Sequence, residues 1–249
     1  MTRSPITLLT GDVGAGKTTL LHHLLDSLET DVIVGMVANA QGDRDAILRW
    51  VMLSLDQPSD PRETYVDLFS RFQSFLIDRY AQGQRVVLIF DEAQALSHDA
   101  LEELRMLTNI NSGKDDLVQV ILVGQPELRD IVHAPELTQF VQRIGASFHL
   151  RAMDATTVAE YIKHRLAVAG AEGEIFSKQA MQLVYDATGG VPRLVNKLCD
   201  VAMVYTYSSD RLRVEERTIQ QVLEDGLLIG GPASAANNDQ LLLDKTWRV

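Results

Sequence analysis

The stretch Gly11-Asp12-Val13-Gly14-Ala15-Gly16-Lys17-Thr18 constrains this chain more than any other. It fits Gly, four residues, Gly-Lys-Thr, a pattern that needs a strand before it and a helix after it. Both are written in the sequence. The apolar run Ile6-Thr7-Leu8-Leu9 leads in, and Leu20, Leu21, Leu24, Leu25 and Leu28 recur behind it at helical spacing. Small residues at 14, 15 and 16 let backbone N–H groups turn inward around a phosphate chain. The helix start adds unpaired N–H groups and the positive end of its dipole. Lys17 is long enough to reach β- and γ-phosphates, and the Thr18 hydroxyl suits Mg²⁺. The expected ligand is a nucleoside triphosphate with Mg²⁺, bound by Gly11, Asp12, Val13, Gly14, Ala15, Gly16, Lys17, Thr18 and Thr19. The competing reading, a plain glycine-rich turn, does not account for the strand, the Lys-Thr pair and the leucine helix together.

Strands and helices alternate over the next part of the chain. Apolar strands are expected at 32–38, 86–90, 118–123 and 146–150, the second strand buried like the third, with residues 39–43 as loop. Helices are expected at 46–55, 62–82 opened by Pro61, and 97–110. Trp50 and the phenylalanines Phe69, Phe72 and Phe75 could stack bases, but their helical spacing reads as core. Alternation of this kind implies a parallel five-stranded sheet flanked by helices, with ligands at the carboxyl ends of the strands. From about 153 the pattern is helical only, over 156–169, 177–188, 192–207 and 215–228. Ser177 caps the second of these and Phe176 staples it. The expected domains are an α/β domain at 1–151, a small helical domain at 152–229 and a flexible tail at 230–249. Leu241, Leu242, Leu243 and Trp247 lie in that tail.

The sequence has 249 residues, 46% hydrophobic and 23% charged, ordinary for a globular protein. No run of about 18 apolar residues is present to span a membrane. The amino terminus has no signal-peptide form. The single cysteine, Cys199, excludes an internal disulfide and suits a reducing cytoplasm. The net charge of −11 disfavours a general nucleic-acid coat, although a ring could still present a local basic face to DNA.

The catalytic candidates sit at strand ends. Asp91 closes the third strand and fits a carboxylate that holds Mg²⁺ through water. Glu92 beside it fits the base that polarises an attacking water. A helix cap is the other reading of that pair. Two helices and a strand separate Asp91 from the phosphate loop, so the two strands need not be neighbours in the sheet. Gln125 ends the next strand and reads either as an amide bridging water and γ-phosphate or as the start of the turn at Pro126. Arg193, after Gly189-Gly190-Val191-Pro192, is a candidate for transition-state charge from the same chain. Arg143 is a candidate to act in a neighbouring subunit, and Arg105 a third; each could equally be a surface ion pair.

These segments, together with Leu101-Glu102-Glu103-Leu104-Arg105, Gly124-Gln125-Pro126-Glu127-Leu128 and Gln142-Arg143-Ile144, resemble AAA+ ATPases of the ExeA/GspA type over residues 6–228. The resemblance implies a P-loop ATPase domain with a helical lid, hydrolysing ATP with Mg²⁺. It makes Lys17 and Thr18 the Walker A residues and Asp91 and Glu92 the Walker B pair. Gln125 becomes a residue near sensor 1, Arg143 an arginine finger and Arg193 sensor 2. It also implies a cytoplasmic homo-oligomer, a hexameric ring or a filament, acting on an unidentified protein partner in a secretion or envelope system. Such proteins usually carry some tens of residues before the first strand that help enclose adenine. Five precede it here, so either the chain is truncated or its base pocket is open. The transmembrane helix and peptidoglycan-binding region that some members carry are not in this sequence. The same architecture resembles transposition regulators of the TnsC/TniB/MuB kind, whose ATP-dependent DNA assemblies are the alternative function. An RNA helicase, echoed by Asp91-Glu92-Ala93-Gln94, would need two sheet domains and does not fit the length.

Overall fold

Five apolar runs pair side by side into one parallel sheet, and the helices between them follow from that pairing. The computed structural model describes residues 5–28, 31–38, 44–112 and 115–228. In chain order the first part runs β1 (Ile6–Gly11), α1 (Lys17–Asp26), β2 (Val32–Ala38), α2 (Arg44–Ser54), α3 (Tyr65–Ala81), β3 (Arg85–Asp91) and α4 (His98–Leu107). A two-residue hairpin, β4 (Asn111–Ser112) and β5 (Asp115–Asp116), precedes β6 (Val118–Gly124). Then come α5 (Glu127–Val132), α6 (Thr138–Val141) and β7 (Ile144–Leu150). The sheet order is β2-β3-β6-β1-β7. The strand ending in Asp91 is not the neighbour of β1 in the sheet, because β6 lies between them. The chain divides into two compact units, residues 1–13 with 17–150, and residues 14–16 with the chain from 151 onward.

Period-two alternation sorts the strand residues between the two faces of the sheet. Leu8, Leu88, Phe90, Val120 and Leu122 join the main core with Leu48, Phe72 and Leu101 from α2, α3 and α4. Leu9, Val87, Ile89 and Val123 point the other way and meet Leu21 of α1. Strands buried on both faces have no polar alternation, which is why β3 reads as a continuous apolar run. One charge lies wholly inside the main core. Glu103 is 0% exposed and accepts from Arg44 Nε at 2.8 Å and from Tyr65 Oη at 2.7 Å. Paired in this way, the carboxylate ties α4 to α2 and α3. Burial and the Glu103 carboxylate push the Tyr65 phenol up to about 12.

Several expectations about burial need correction. β2, expected to be buried, is an edge strand with Met36 exposed. The apolar stripe of α1 is only partly used: Leu21 is buried, while Leu20 and Leu24 are exposed. They line an open groove of about 430 Å³ with Leu9, Ile121 and Phe148. Phe148, on edge strand β7, is 60% exposed. Of the residues read as core, Phe72 is buried and Phe69 and Phe75 pack partly buried against the main core, but Trp50 is exposed. Helix α3 begins at Tyr65 rather than at Pro61, because Thr64 caps it. The Thr64 hydroxyl accepts the Asp67 N–H and the Asp67 carboxylate accepts the Thr64 N–H, a capping box. The loop at 39–43 and the tail from 230 lie outside the described residues.

The helical unit runs α7 (Ala155–Val168), α8 (Lys178–Thr188), α9 (Pro192–Ser208) and α10 (Glu216–Glu224). Asp154 caps α7, and the Ser177 hydroxyl caps α8 by accepting the Ala180 N–H. Its core is Val158, Ile162, Val184, Leu198, Ala202 and Ile219 with Cys199 among them. Burial pushes the Cys199 thiol up to about 12, so it packs as a small apolar group. Gly189 and Gly190 both take positive φ between α8 and α9. A Cβ on Gly190 would lie 1.8 Å from the Met153 carbonyl oxygen. Gly190→Ala is therefore expected to destabilise the protein by more than ~1 kcal/mol, read as a lowered melting temperature by circular dichroism. An unchanged melt would mean that Met153 can move aside freely.

Candidate functional site

Parallel pairing brings the carboxyl ends of β3, β6 and β1 to one edge of the sheet. The register sets Phe90 beside Leu122, and Leu9 and Thr10 beside Val123 and Gly124. Asp91 with Glu92, Gln125 and the phosphate loop therefore emerge next to one another. Thr10, fully buried, exchanges a hydrogen bond with His149 Nδ1 at 3.0 Å and anchors the start of the loop to β7.

In the loop, Gly14 and Gly16 take φ of +81° and +98°, values that an L side chain resists. Ala15 and Lys17 are buried, whereas Asp12, Val13, Thr18 and Thr19 are exposed. Lys17 turns back on the loop. Its Nζ donates to the Gly11 carbonyl at 2.7 Å and to the Asp12 carbonyl at 3.0 Å. Thr18 and Thr19 occupy the first turn of α1, where N–H groups have no partner within the helix.

Asp91 Oδ1 accepts the Glu92 N–H at 2.9 Å. Glu92 itself is left-handed, with φ of 54° and ψ of 39°. For a side chain other than glycine this costs about 1–3 kcal/mol and has to be held by its surroundings. Two amides hold it. Gln94 Nε2 donates to Glu92 Oε2 at 2.5 Å, and Gln125 Nε2 donates to the same oxygen at 3.2 Å. Gln94 Oε1 in turn accepts the backbone N–H of Gln125 at 3.0 Å. These bonds, Gln94 first, hold the Glu92 carboxyl below the usual glutamate range; the Lys17 charge adds to them and burial opposes them. Glu92 is therefore ionised at neutral pH and able to accept a proton.

The structure thus brings Lys17, Asp91, Glu92 and Gln125 together. It adds Gln94, to which the sequence pattern assigns no role. The one available signal is an amide two residues after a carboxylate, and a regular helix gives that spacing no such contact. The arginines have contacts of their own. The Arg143 guanidinium donates to Asn109 Oδ1 at the end of α4, and Arg105 pairs with Glu102 at 2.8 Å. The Arg193 side chain is exposed on the first turn of α9, and its backbone N–H donates to the Gly14 carbonyl at 3.3 Å within the second unit.

Oxygen donors of this kind suit Mg²⁺, which prefers one or two carboxylate or hydroxyl oxygens and keeps several waters. Asp91 has one oxygen on the Glu92 N–H and a second beside it, and the Thr18 hydroxyl faces solvent. Among the described residues no helix is long and apolar enough to cross a membrane.

Residues 1–132 match the AAA domain family. Over 201 residues the chain is 37% identical to General secretion pathway protein A of Aeromonas hydrophila, a match that covers 81% of this chain and 37% of that protein. The chain thus spans little more than a third of that relative. Among solved structures it is similar to Cdc6p from Pyrobaculum aerophilum, with a TM-score of 0.65, 19% identity, and coverage of 85% of this chain and 58% of that one. The ORC2 protein of Aeropyrum pernix gives a TM-score of 0.64 at 17% identity, covering 89% of this chain and 62% of that one. The RuvB Holliday junction branch migration motor of Thermotoga maritima gives 0.55 at 18% identity, covering 89% and 61%. At these identities the solved structures show the fold alone.

Removing one of the two amide donors should raise the Glu92 titration. In Gln125→Leu the Glu92 carboxyl is expected to move up toward the ordinary glutamate value. A carbon-detected NMR titration, with Glu92→Gln to assign the resonance, reads the shift. A titration that does not move would mean that Gln125 does not stabilise the charged form.

Proposed function

The chain belongs to the AAA domain family and is an ATP hydrolase of the ExeA/GspA type, and from that premise we propose how its residues divide the work. The convergence of Lys17, Glu92 and Gln125 at adjacent strand ends, with Glu92 held in its charged form, carries this reading. The backbone N–H groups of residues 14–19 bind the phosphate chain, and Lys17 pairs with the β- and γ-phosphates. Thr18 and Asp91 would hold Mg²⁺, which would supply positive charge to offset that of the phosphate oxygens. Glu92 accepts a proton from a water whose oxygen forms a bond to the γ-phosphorus. The bond from that phosphorus to the β–γ bridging oxygen breaks, leaving ADP and inorganic phosphate. Gln125 aligns the water against the γ-phosphate. Arg193, as sensor 2, and Arg143, as a finger toward a neighbouring subunit, offset the charge of the transition state. For Arg143 this requires release from Asn109.

We further propose that ATP binding drives assembly of a cytoplasmic homo-oligomer, a ring or a filament, that remodels a protein partner in a secretion or envelope system. The match to General secretion pathway protein A supports this process. The alternative, a DNA-loaded assembly switch of the transposition type, is not favoured. The net charge of −11 opposes it, and the roles of RuvB and Cdc6p do not carry over at their identities.

Lys17→Ala is expected to abolish binding of a fluorescent ATP analogue. Glu92→Gln is expected to keep that binding and to lose about 10²–10⁴-fold in turnover. With Mg-ATP, Glu92→Gln protein should sediment as a larger species than it does without nucleotide. Turnover that survives Glu92→Gln would remove Glu92 from the role of base. ATP-dependent, salt-sensitive binding of fluorescent duplex DNA by that variant would move the process to the transposition type.

A further inference from the structure

We infer that Gln94 is the positioning residue of the hydrolytic site, holding Glu92 in place from the backbone of the neighbouring strand end. The inference rests on the reading of Glu92 as the base. Both ends of the Gln94 amide are engaged. Its oxygen accepts the Gln125 N–H at 3.0 Å, and its nitrogen donates to Glu92 Oε2 at 2.5 Å. A main-chain N–H can only donate, so the amide oxygen has to face Gln125 and the NH₂ has to face Glu92. The orientation of this amide is thus dictated by the end of β6, and it passes that orientation on to the carboxylate at the end of β3.

Three further observations fit this role. First, Glu92 sits in a left-handed conformation that needs an external hold. Second, the turn carrying Gln94 is closed by its own bonds, Ala95 N–H to the Glu92 carbonyl at 2.9 Å and Leu96 N–H to the Ala93 carbonyl at 3.1 Å, with Ala93 buried. Third, the sheet leaves room for the amide. A Cβ on Gly124 would lie 2.8 Å from Gln94 Oε1, so any larger residue there would press on it. Both amide bonds fall on Glu92 Oε2, so neither occupies Oε1. The two amides therefore differ in kind. Gln125 reaches Glu92 at the longer distance of 3.2 Å through its side-chain nitrogen alone. Gln94 is fixed at its far end to main chain, so its hold on Glu92 does not depend on the Gln125 side chain.

The test uses the full chain with Gln94→Leu and Gln94→Glu. The first removes both bonds. The second keeps the acceptor for the Gln125 N–H but replaces the donor with a like charge facing Glu92, and it decides the matter if the first does not fold. Both are expected to bind the fluorescent ATP analogue as the unaltered protein does, to keep its melting temperature, and to lose about 10²-fold in kcat. The loss should fall on kcat with KM for ATP unchanged, and it should be larger in Gln94→Glu, where a like charge faces Glu92. In Glu92→Gln, adding Gln94→Leu should cause no further loss. Unchanged kcat in both variants would overturn the inference. So would a loss of kcat that merely follows loss of nucleotide binding or of fold. If Glu92→Gln itself turned over normally, Glu92 would not be the base and the inference would fall with it. If Glu92→Gln were inactive while both Gln94 variants were normal, the base would stand and Gln94 alone would lose its role.

Discussion

Parallel pairing of β3, β6 and β1 is the constraint on which the site depends. Parallel strands all end at the same edge, so groups far apart in sequence meet there without any loop having to reach. The position of β6 between β3 and β1 then sets the spacing. It puts one strand width, about 4.8 Å, between each pair of neighbouring ends. That leaves room for an amide side chain to span from one end to the next. The left-handed turn at Glu92 completes the arrangement by swinging the carboxylate out of the strand line toward β6. Its conformational cost is offset by the hydrogen bonds that Gln94 and Gln125 donate to the carboxylate.

The buried charges of the first unit obey one rule at two places. Lys17 and Glu103 are both inside, and both are matched by hydrogen bonds. Glu103 is matched by side chains from α2 and α3, so it joins three helices through one carboxylate. Arg44 begins α2 after the segment that follows β2, and it links that end of the sheet to the same group. The acidic composition of the chain is thus mostly a property of its surface, and the few charges inside are placed by partners rather than by proximity to water.

Much of the fold and of the site is legible in the sequence because it is local. The phosphate loop declares itself by eight consecutive residues, and Asp91-Glu92 by the apolar run before them. The fold class follows from alternation, and the ends of α8, at Ser177 and at Gly189-Gly190, follow from residue type. What is not legible depends on partners across space. The periodicity of α1 does not say that Leu20 and Leu24 would border a groove rather than a core, because that depends on β7 being the sheet edge. The exposure of Met36 has the same cause at the opposite edge. Pro61 is a plausible helix start until Thr64 and Asp67 are seen to bond each other. Gln94 is hidden because its contact requires a backbone conformation at Glu92 that no residue pattern announces. Arg143 can be recognised as a useful cation, but its attachment to Asn109 cannot.

The two hydrogen bonds from Lys17 to the carbonyls of Gly11 and Asp12 give the loop an internal competitor for its own ligand. The ammonium is not waiting in solvent; two of its three N–H donors already have neutral oxygens, with which an incoming group competes. A polyphosphate, carrying several negative charges, displaces neutral carbonyls with ease. A sugar hydroxyl, a carboxamide or any other uncharged acceptor gains nothing by replacing one neutral oxygen with another. The loop thereby discriminates before it binds. Its selectivity lies in a comparison of oxygens that the protein itself conducts, and the same pairing keeps a buried ammonium satisfied between one ligand and the next.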